Sequence, residues 1–283
     1  MYTEPFSRQN PGCIVILLDR SESMRNHWAG SNMTLAEGAT QAVNQLLFDL
    51  IVKSTKEHGQ KRHYFDIGIF GYGVCPISQT EGVESALGGA LTGRGIVPLP
   101  ELAENPLTIR EVPSIDAQAS SLRVPVWIEP VHGYRTPMCQ AIAEAGWHIN
   151  QWAEDHLESF PPIVINITDG MVTDSPYDGA SLSDWAKRLY TIPTCDGETL
   201  LLNVFLSPSQ DPAQWFPATP VGLPEPGPEL FEISSTLPPK MADNARAAGV
   251  DIQPGSRGLL FNADLNMLIK FLEIGTHFPV KDR

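Results

Sequence analysis

The chain has 283 residues, enough for one large α/β domain or two small ones. Hydrophobic residues make up 42% and charged residues 18%, an ordinary globular balance, and no apolar run approaches the roughly 20 residues that span a bilayer. Against 33 acidic residues stand 19 basic ones, a formal net charge of −14; no Lys/Arg cluster is long enough to follow a phosphate backbone, so nucleic acid and anionic membranes are poor partners.

The opening segment "MYTEPFSRQNPG" is polar and lacks the basic-then-apolar layout of a signal peptide, so a cytoplasmic protein is expected. Next, "IVILLDRSESM" reads as a buried strand that ends in Asp19, Ser21 and Ser23. Taken alone, these three residues fit a helix cap and a turn. "MTLAEGATQAVNQLLFDLIVKS" has Leu35, Ala39, Val43, Leu46 and Leu50 at helical spacing, and Thr34 with Glu37 forms a capping-box pair, so a helix is predicted from Thr34. "HYFDIGIFGYG" is a β-rich run predicted to break at Gly71 and Gly73. Strand, helix, strand is the unit of a parallel sheet.

Residues 75–132 hold short β-like pieces among Gly and Pro and read as an irregular insertion with one or two hairpins. "RTPMCQAIAEAGWHINQWAEDH" is helical, with Met138, Ile142, Ala145, Ile149 and Trp152 on one face, Thr136 as the expected N-cap and Pro137 as the first helical residue. "PPIVINITDG" is a second buried strand, ending in Asp169. A helix at 182–190 and the strand "TLLLNVFLS" follow. The Pro-rich stretch at about 207–229 is a surface loop, ordered or mobile. One or two helices then end at Gly249, "RGLLFN" is a short strand, and a last helix is expected between caps at Asn262 and Gly275. The alternation favours one domain over 1–283, with a core at about 13–274. Its fold is a doubly wound α/β domain with helices on both faces of a mainly parallel sheet, and ligands of such sheets sit beyond the strands' carboxyl ends.

Asp19, Ser21 and Ser23 follow one such end, Asp169 follows another, and Thr136 opens a helix from the same rim. Every donor is a hard oxygen, which suits Mg²⁺, Mn²⁺ or Ca²⁺ over zinc or copper. Two carboxylates do not saturate an octahedral ion, so hydroxyls and water complete it and one place is open to an outside oxygen.

"DRSES", "RTPM" and "ITDG", in this order, resemble the metal-ion-dependent adhesion site of von Willebrand factor type A domains, whose pattern is DxSxS, a Thr often followed by Pro, and an Asp in a DG-type turn. Asp19, Ser21, Ser23, Thr136 and Asp169 match all five positions. The similarity covers about residues 13–274 and is weak in the insertion and the Pro-rich loop; the later segments look like those of stand-alone bacterial members. The resemblance implies direct hydroxyl ligands from Ser21, Ser23 and Thr136. It implies that Asp19 and Asp169 hold the ion directly or through water, and that a partner's Asp or Glu fills the open position. Bacterial members often accompany Ser/Thr kinases, metal-dependent phosphatases or MoxR-type AAA+ ATPases, which implies a signalling or assembly adaptor.

Other residues are less informative. Cys13, Cys75, Cys139 and Cys195 form no CxxC pair and read as free thiols. The seven histidines form no HExxH motif; His27 and His132 alone lie near the proposed rim. Asp174 is an additional acid near the site or, as favoured, a turn or helix cap. Trp28 is either an exposed contact or packs under its loop, and "GRG" at 93–95 is too short to cradle phosphate.

Two functions compete. A metal-dependent protein-binding module with no chemistry of its own is favoured. The alternative, a Mg²⁺-dependent phosphotransferase or phosphatase on a similar sheet, needs a nucleophile or base by the ion, yet Ser21 stands where a phospho-aspartyl enzyme has its second acid. No GxSxG elbow exists for acyl transfer.

Overall fold

The computed structural model describes residues 1–28, 31–55, 60–112, 122–209, 211–277 and 279–281. In chain order its strands are β1 (Phe6–Ser7), β2 (Gly12–Arg20), β3 (Phe65–Cys75), β4 (Thr80–Ser85), β5 (Ile96–Pro98), β6 (Thr108–Val112), β7 (Leu122–Val126), β8 (Ile163–Thr168), β9 (Pro193–Thr194), β10 (Gly197–Glu198), β11 (Leu200–Leu206), β12 (Gln214–Trp215), β13 (Leu259–Ala263) and β14 (Val280–Lys281). The α-helices are α1 (Leu35–Ser54), α2 (Leu99–Glu104), α3 (Met138–Asp155), α4 (Leu182–Tyr190), α5 (Gly227–Glu232), α6 (Pro239–Ala247) and α7 (Leu265–Thr276). Among the described residues no helix is long and apolar enough to cross a membrane.

The main sheet runs β12–β13–β11–β8–β2–β3–β4, with β5 pairing further along β3. The five strands from β13 to β3 are mutually parallel; β12, β4 and β5 are antiparallel to their neighbours. At the centre, β2 connects outward through α1 to β3, while β8 connects the other way to β11. The connections that leave their carboxyl ends therefore run apart, as at the point where open parallel sheets bind ligands.

The alternation along β2 feeds two separate cores. Ile14, Ile16 and Leu18 pack with Leu35, Val43 and Leu47 of α1 and Phe271 of α7. Val15 and Leu17 pack with Met138 and Ile142 of α3 and Leu189 of α4. Strands buried on both faces are read as continuous apolar runs, as "IVILL" is. The face that receives Leu17 also receives Asp19, two residues on, and this places its carboxylate on the α3 side.

Several local expectations hold. Helix α1 begins after Thr34, whose hydroxyl accepts from Glu37 N while Glu37 accepts from Thr34 N. The apolar face expected for α3 is buried throughout. Other expectations are corrected. Strand β3 continues through Gly71 and Gly73 to Cys75. The glycines make room for Arg20: a Cβ on Gly71 would lie 2.3 Å from Arg20 Nε, and one on Gly73, at φ +121°, 2.5 Å from the Arg20 carbonyl carbon. The insertion contributes a hairpin strand, β4, and the short β5 to the sheet, plus the separate hairpin β6–β7 and helix α2; its residues 113–121 lie outside the described residues. The Pro-rich segment includes β12, paired with β13. The N-cap of α7 is Asp264, which accepts from Met267 N, whereas Asn262 belongs to β13. Gly275 lies inside α7, where a Cβ would come 2.9 Å from Leu202.

Candidate functional site

The carboxyl ends of β2 and β8 bring four of the five expected side chains into one hydrogen-bonded group. Asp19 Oδ1 accepts from Ser21 N at 2.8 Å, and Ser21 Oγ lies 3.1 Å from Ser23 Oγ. Ser23 Oγ donates to Asp169 Oδ1 at 2.7 Å. The alternating DxSxS spacing gives this result because the chain turns into a short 3₁₀ helix at 22–25 straight after β2.

Thr136, the fifth residue, arrives on the loop before α3. That loop is tied to the end of β2 by Gly133 N donating to Arg20 O at 2.8 Å and by Glu22 N donating to Tyr134 O at 2.9 Å. Thr136 N donates to Thr173 Oγ1 at 3.0 Å. A Cβ placed on Gly170 would stand 3.0 Å from Thr136 Oγ1 and 3.7 Å from Asp19 Oδ2, so Gly170 lies between hydroxyl and carboxylate and leaves the space a side chain would fill. Thr136 is not the N-cap of α3: the helix starts at Met138 behind Pro137, without a side-chain cap of its own. The capping carboxylate comes from Asp174, which accepts from Cys139 N and Gln140 N at 3.0 and 2.9 Å. This is the cap reading of Asp174, made by a residue distant in sequence.

Asp19, Ser21 and Thr136 are buried, and Ser23 and Asp169 are half-buried. Burial pushes the Asp19 carboxyl above its ordinary range, against hydrogen bonds from Thr168 and Ser21 that favour its charged form. The Asp169 carboxyl is pushed up to about 7, first by burial and then by the charge of Asp19. Among the described residues no Lys, Arg or His pairs with either carboxylate: Arg20 turns to Glu84, Arg25 to Glu22 and Arg135 to Glu81. Two acids thus share a partly desolvated space with no protein cation to offset them, an arrangement a small cation would relieve.

The donors are all oxygen. Among the described residues no group of three or more His, Cys, Asp and Glu side chains is disposed to hold a metal ion; at this rim two carboxylates are supplemented by neutral hydroxyls. Such a set fits a hard divalent ion that keeps some of its water.

Two supporting threonines and a buried polar chain beneath the site escaped the sequence reading. Thr168 Oγ1 donates to Asp19 Oδ2 at 2.6 Å, and Thr168 lies inside the quoted "ITDG". Thr173 holds the Thr136 backbone. Beneath the site, Tyr72 OH donates to Asn166 Oδ1 at 2.7 Å, Asn166 Nδ2 to Asn203 Oδ1 at 3.0 Å, and Asn203 Nδ2 to Ser234 Oγ at 2.9 Å. The readable signal was an Asn in each of two otherwise apolar strands, "IVINIT" and "LLLNVFL".

His27 and His132 are exposed, and His132 Nδ1 lies 3.9 Å from Glu22 Oε2. Trp28 packs under its loop: it is buried, and its Nε1 donates to Ala263 O at 2.8 Å. The four cysteines are free thiols, with Cys195 exposed and the others buried.

No protein-family model matches the chain, and no curated protein matches it. Among solved structures it is similar to the pilus adhesin RrgA from Streptococcus pneumoniae, at 17% identity and TM-score 0.31, over 58% of this chain and 21% of that one. It is also similar to the human COPII-coat protein Sec24c, at 11% identity and TM-score 0.32, over 70% of this chain and 26% of that one. The chain therefore spans about a quarter or less of either structure's length, and both similarities are slight.

Proposed function

We propose that the chain is a doubly wound domain of the von Willebrand factor A type that binds a protein partner through a divalent cation. The observation that carries this reading is the convergence of Asp19, Ser21, Ser23 and Asp169 in one hydrogen-bonded group, with Thr136 across Gly170, beyond the carboxyl ends of β2 and β8. Ser21, Ser23 and Thr136 would offer neutral ligands, and Asp19 and Asp169 the charge. Mg²⁺ suits this set best, with Mn²⁺ or Ca²⁺ as close substitutes. When bound, the ion supplies a Lewis-acid face to which a partner's Asp or Glu can add.

The chain's own residues set how that face behaves. Three neutral hydroxyls leave the ion electrophilic, where further carboxylates would quench it. The net charge of −14 opposes an acidic partner at long range, but that field is screened beyond a Debye length of about 8 Å at physiological salt. Contact with the ion is decided inside that distance. A cytoplasmic adaptor beside a kinase, phosphatase or MoxR-type ATPase rests on the family resemblance alone.

Titration calorimetry with Mg²⁺ and Mn²⁺ tests the reading. Wild type should bind one ion, and Asp19→Ala should abolish the heat while keeping a cooperative thermal transition. Equal heats for the two proteins would remove the metal centre. A general aryl-phosphate assay should stay flat with and without Mg²⁺; metal-dependent turnover would instead support the phosphotransfer reading. A partner captured from lysate should be released by EDTA.

A further inference from the structure

The buried polar chain beneath the site has a direction. It crosses one face of the sheet, from Tyr72 of β3 to Asn166 of β8, Asn203 of β11 and Ser234 just after α5, and all four residues are at most 1% exposed. Tyr72 stands in register with Asp19 of the intervening β2, and it shares the α3-side core with Leu17 and Met138. To reach β8 its side chain must cross β2, so its ring forms a floor under Asp19. Burial and then the charge of Asp19 push the Tyr72 hydroxyl well above its ordinary range, so it keeps its proton and needs an acceptor for it.

The far end of the chain decides where that proton goes. Ser234 Oγ donates to the Leu230 carbonyl of α5 at 2.7 Å, and a carbonyl only accepts. Ser234 has no second proton, so Asn203 must turn its Nδ2 toward Ser234 and its Oδ1 toward Asn166. Asn166 must then present Nδ2 to Asn203, which leaves its Oδ1 for Tyr72. A second contact agrees. Asn166 Nδ2 also lies 3.6 Å from Met138 Sδ, a weak acceptor that suits an amide N–H and not an amide oxygen. Every proton in the chain thus points away from Asp19 and Asp169.

That direction matters to the acid above. Asp19 takes Ser21 N on Oδ1 and Thr168 Oγ1 on Oδ2, which fills two of the roughly four places a carboxylate offers. Thr168 is two residues on from Asn166 in β8, on the same face. Without the Asn166 acceptor, the Tyr72 proton would turn to Thr168 or Asp19. Either choice loads more hydrogen bonding onto the Asp19 carboxylate, directly or by strengthening the Thr168 bond, and that competes with a cation. With Asn166 in place, Asp19 stays short of donors although a phenol lies directly below it.

We propose that Asn166 is a positioning residue of the metal site: it holds the Tyr72 proton away from Asp19 and so keeps the remaining lone pairs of that carboxylate free for a divalent ion. The gain in metal affinity rests on the proposed function; the direction of the proton does not. Among the described residues Asn166 bonds none of the five rim side chains, and it acts through Tyr72.

The test reads proton direction and metal affinity separately, on the full chain. In the metal-free protein, NMR should find the buried Tyr72 hydroxyl proton in slow exchange, with cross-peaks to the Asn166 side-chain amide. In Asn166→Leu these should move to Thr168 and Asp19. Wild-type cross-peaks to Asp19 instead would overturn the inference. Calorimetry with Mg²⁺ should show Asn166→Leu about tenfold weaker than wild type, the scale of one hydrogen bond to a charged group. Tyr72→Phe removes the proton and keeps the floor, so it should bind within about twofold of wild type. Tyr72→Phe combined with Asn166→Leu should recover to within about threefold. Urea melts should show all three variants less stable than wild type, so a merely structural role predicts a double variant at least as weak as Asn166→Leu. That result would overturn the inference. A tenfold loss in Tyr72→Phe alone would do so too, whether or not Asn166→Leu folds. A wild type with the expected cross-peaks but no metal heat would lose the metal reading, and with it the gain in affinity, but not the direction of the proton. One that binds metal and gives cross-peaks to Asp19 would lose this inference alone.

Discussion

At the β2–β8 end of the rim, Ser23 donates to Asp169, Thr168 donates to Asp19, and the Ser21 backbone closes back on the same carboxylate. At the β11–β13 end, Asn262 donates to the Asp211 carbonyl, and its buried Oδ1 accepts no hydrogen bond among the described residues. The first region concentrates negative charge and surrounds it with hydroxyls from three separate segments. The second lines a cleft of about 780 Å³ with the exposed Asp211 and Glu225 and the buried rings of Phe205 and Phe261. On the reading proposed above, the first is suited to a small, hard ion. Trp28 links the two, since it follows the serines and its indole nitrogen donates to Ala263 O, at the end of β13.

The largest effects should come from the pair of acids that defines the first region. The Asp169 carboxyl, pushed up to about 7, keeps its proton over a range in which an unfolded aspartate, near 3.8, has lost it. The folded, metal-free protein then binds more protons than the unfolded chain. Its stability falls as pH rises from about 4 to about 7 and levels off above that. Melting in EDTA should show this fall in wild type and lose most of it in Asp169→Asn. A divalent ion must displace the same proton, so its affinity should drop about tenfold per pH unit below 7 and flatten above it. Calorimetry at pH 5.5, 6.5 and 8 reads that slope directly. A flat profile would mean that Asp169 is ionised without the metal and that the two acids are less strongly opposed than their burial implies.

A smaller effect should follow from narrowing the first region without touching its charge. Gly170 has a φ outside the left-handed range, so Ala is conformationally acceptable there. The added methyl would meet Thr136 Oγ1 at 3.0 Å and must move it or the Asp19 carboxylate. Gly170→Ala should weaken metal binding about three- to tenfold and lower stability by about 1 kcal/mol, the low end of overpacking costs. An unaltered metal affinity would show that Thr136 stands apart from the cluster of Asp19, Ser21, Ser23 and Asp169.

The two regions also differ in how far they could be read from the sequence. The parallel core was legible because "IVILL" and "IVINIT" are unbroken apolar runs and because α1 and α3 repeat their apolar residues at helical spacing. Asp19, Ser21, Ser23 and Asp169 were legible because short oxygen-bearing residues followed those runs at fixed offsets, and Thr136 because it opens a helix in a motif that resembles the same family pattern. What was hidden depends on contacts between distant segments. Asp174 caps a helix that starts 36 residues before it. Gly71 and Gly73 looked like strand breakers but accommodate Arg20. Asn262 looked like a helix cap, and only the shift of register between β11 and β13 shows it as a bulge residue. The cleft it lines had no motif, because its walls come from two strands and a Pro-rich loop.

The smallest effect tests whether the helix beneath the first region is a support or a part of the site. Asp174 bonds two of the free N–H groups at the start of α3, those of Cys139 and Gln140, and its charge faces the positive end of the helix dipole. Removing such a cap costs about 1 kcal/mol. Thr136, however, is held from the other side: its N–H bonds Thr173 Oγ1, and its loop is tied to Arg20 and Glu22. Asp174→Ala should therefore lower stability by about 1 kcal/mol in urea and change metal affinity by less than twofold. Thr173→Val should do the reverse, with little cost to the helix and a measurable loss of affinity, since it frees the Thr136 N–H and leaves only the bond from Thr173 N to Thr136 O. If Asp174→Ala instead weakens metal binding as much as Gly170→Ala, the N-terminus of α3 sets the position of Thr136, and the cap belongs to the metal site and not only to the helix.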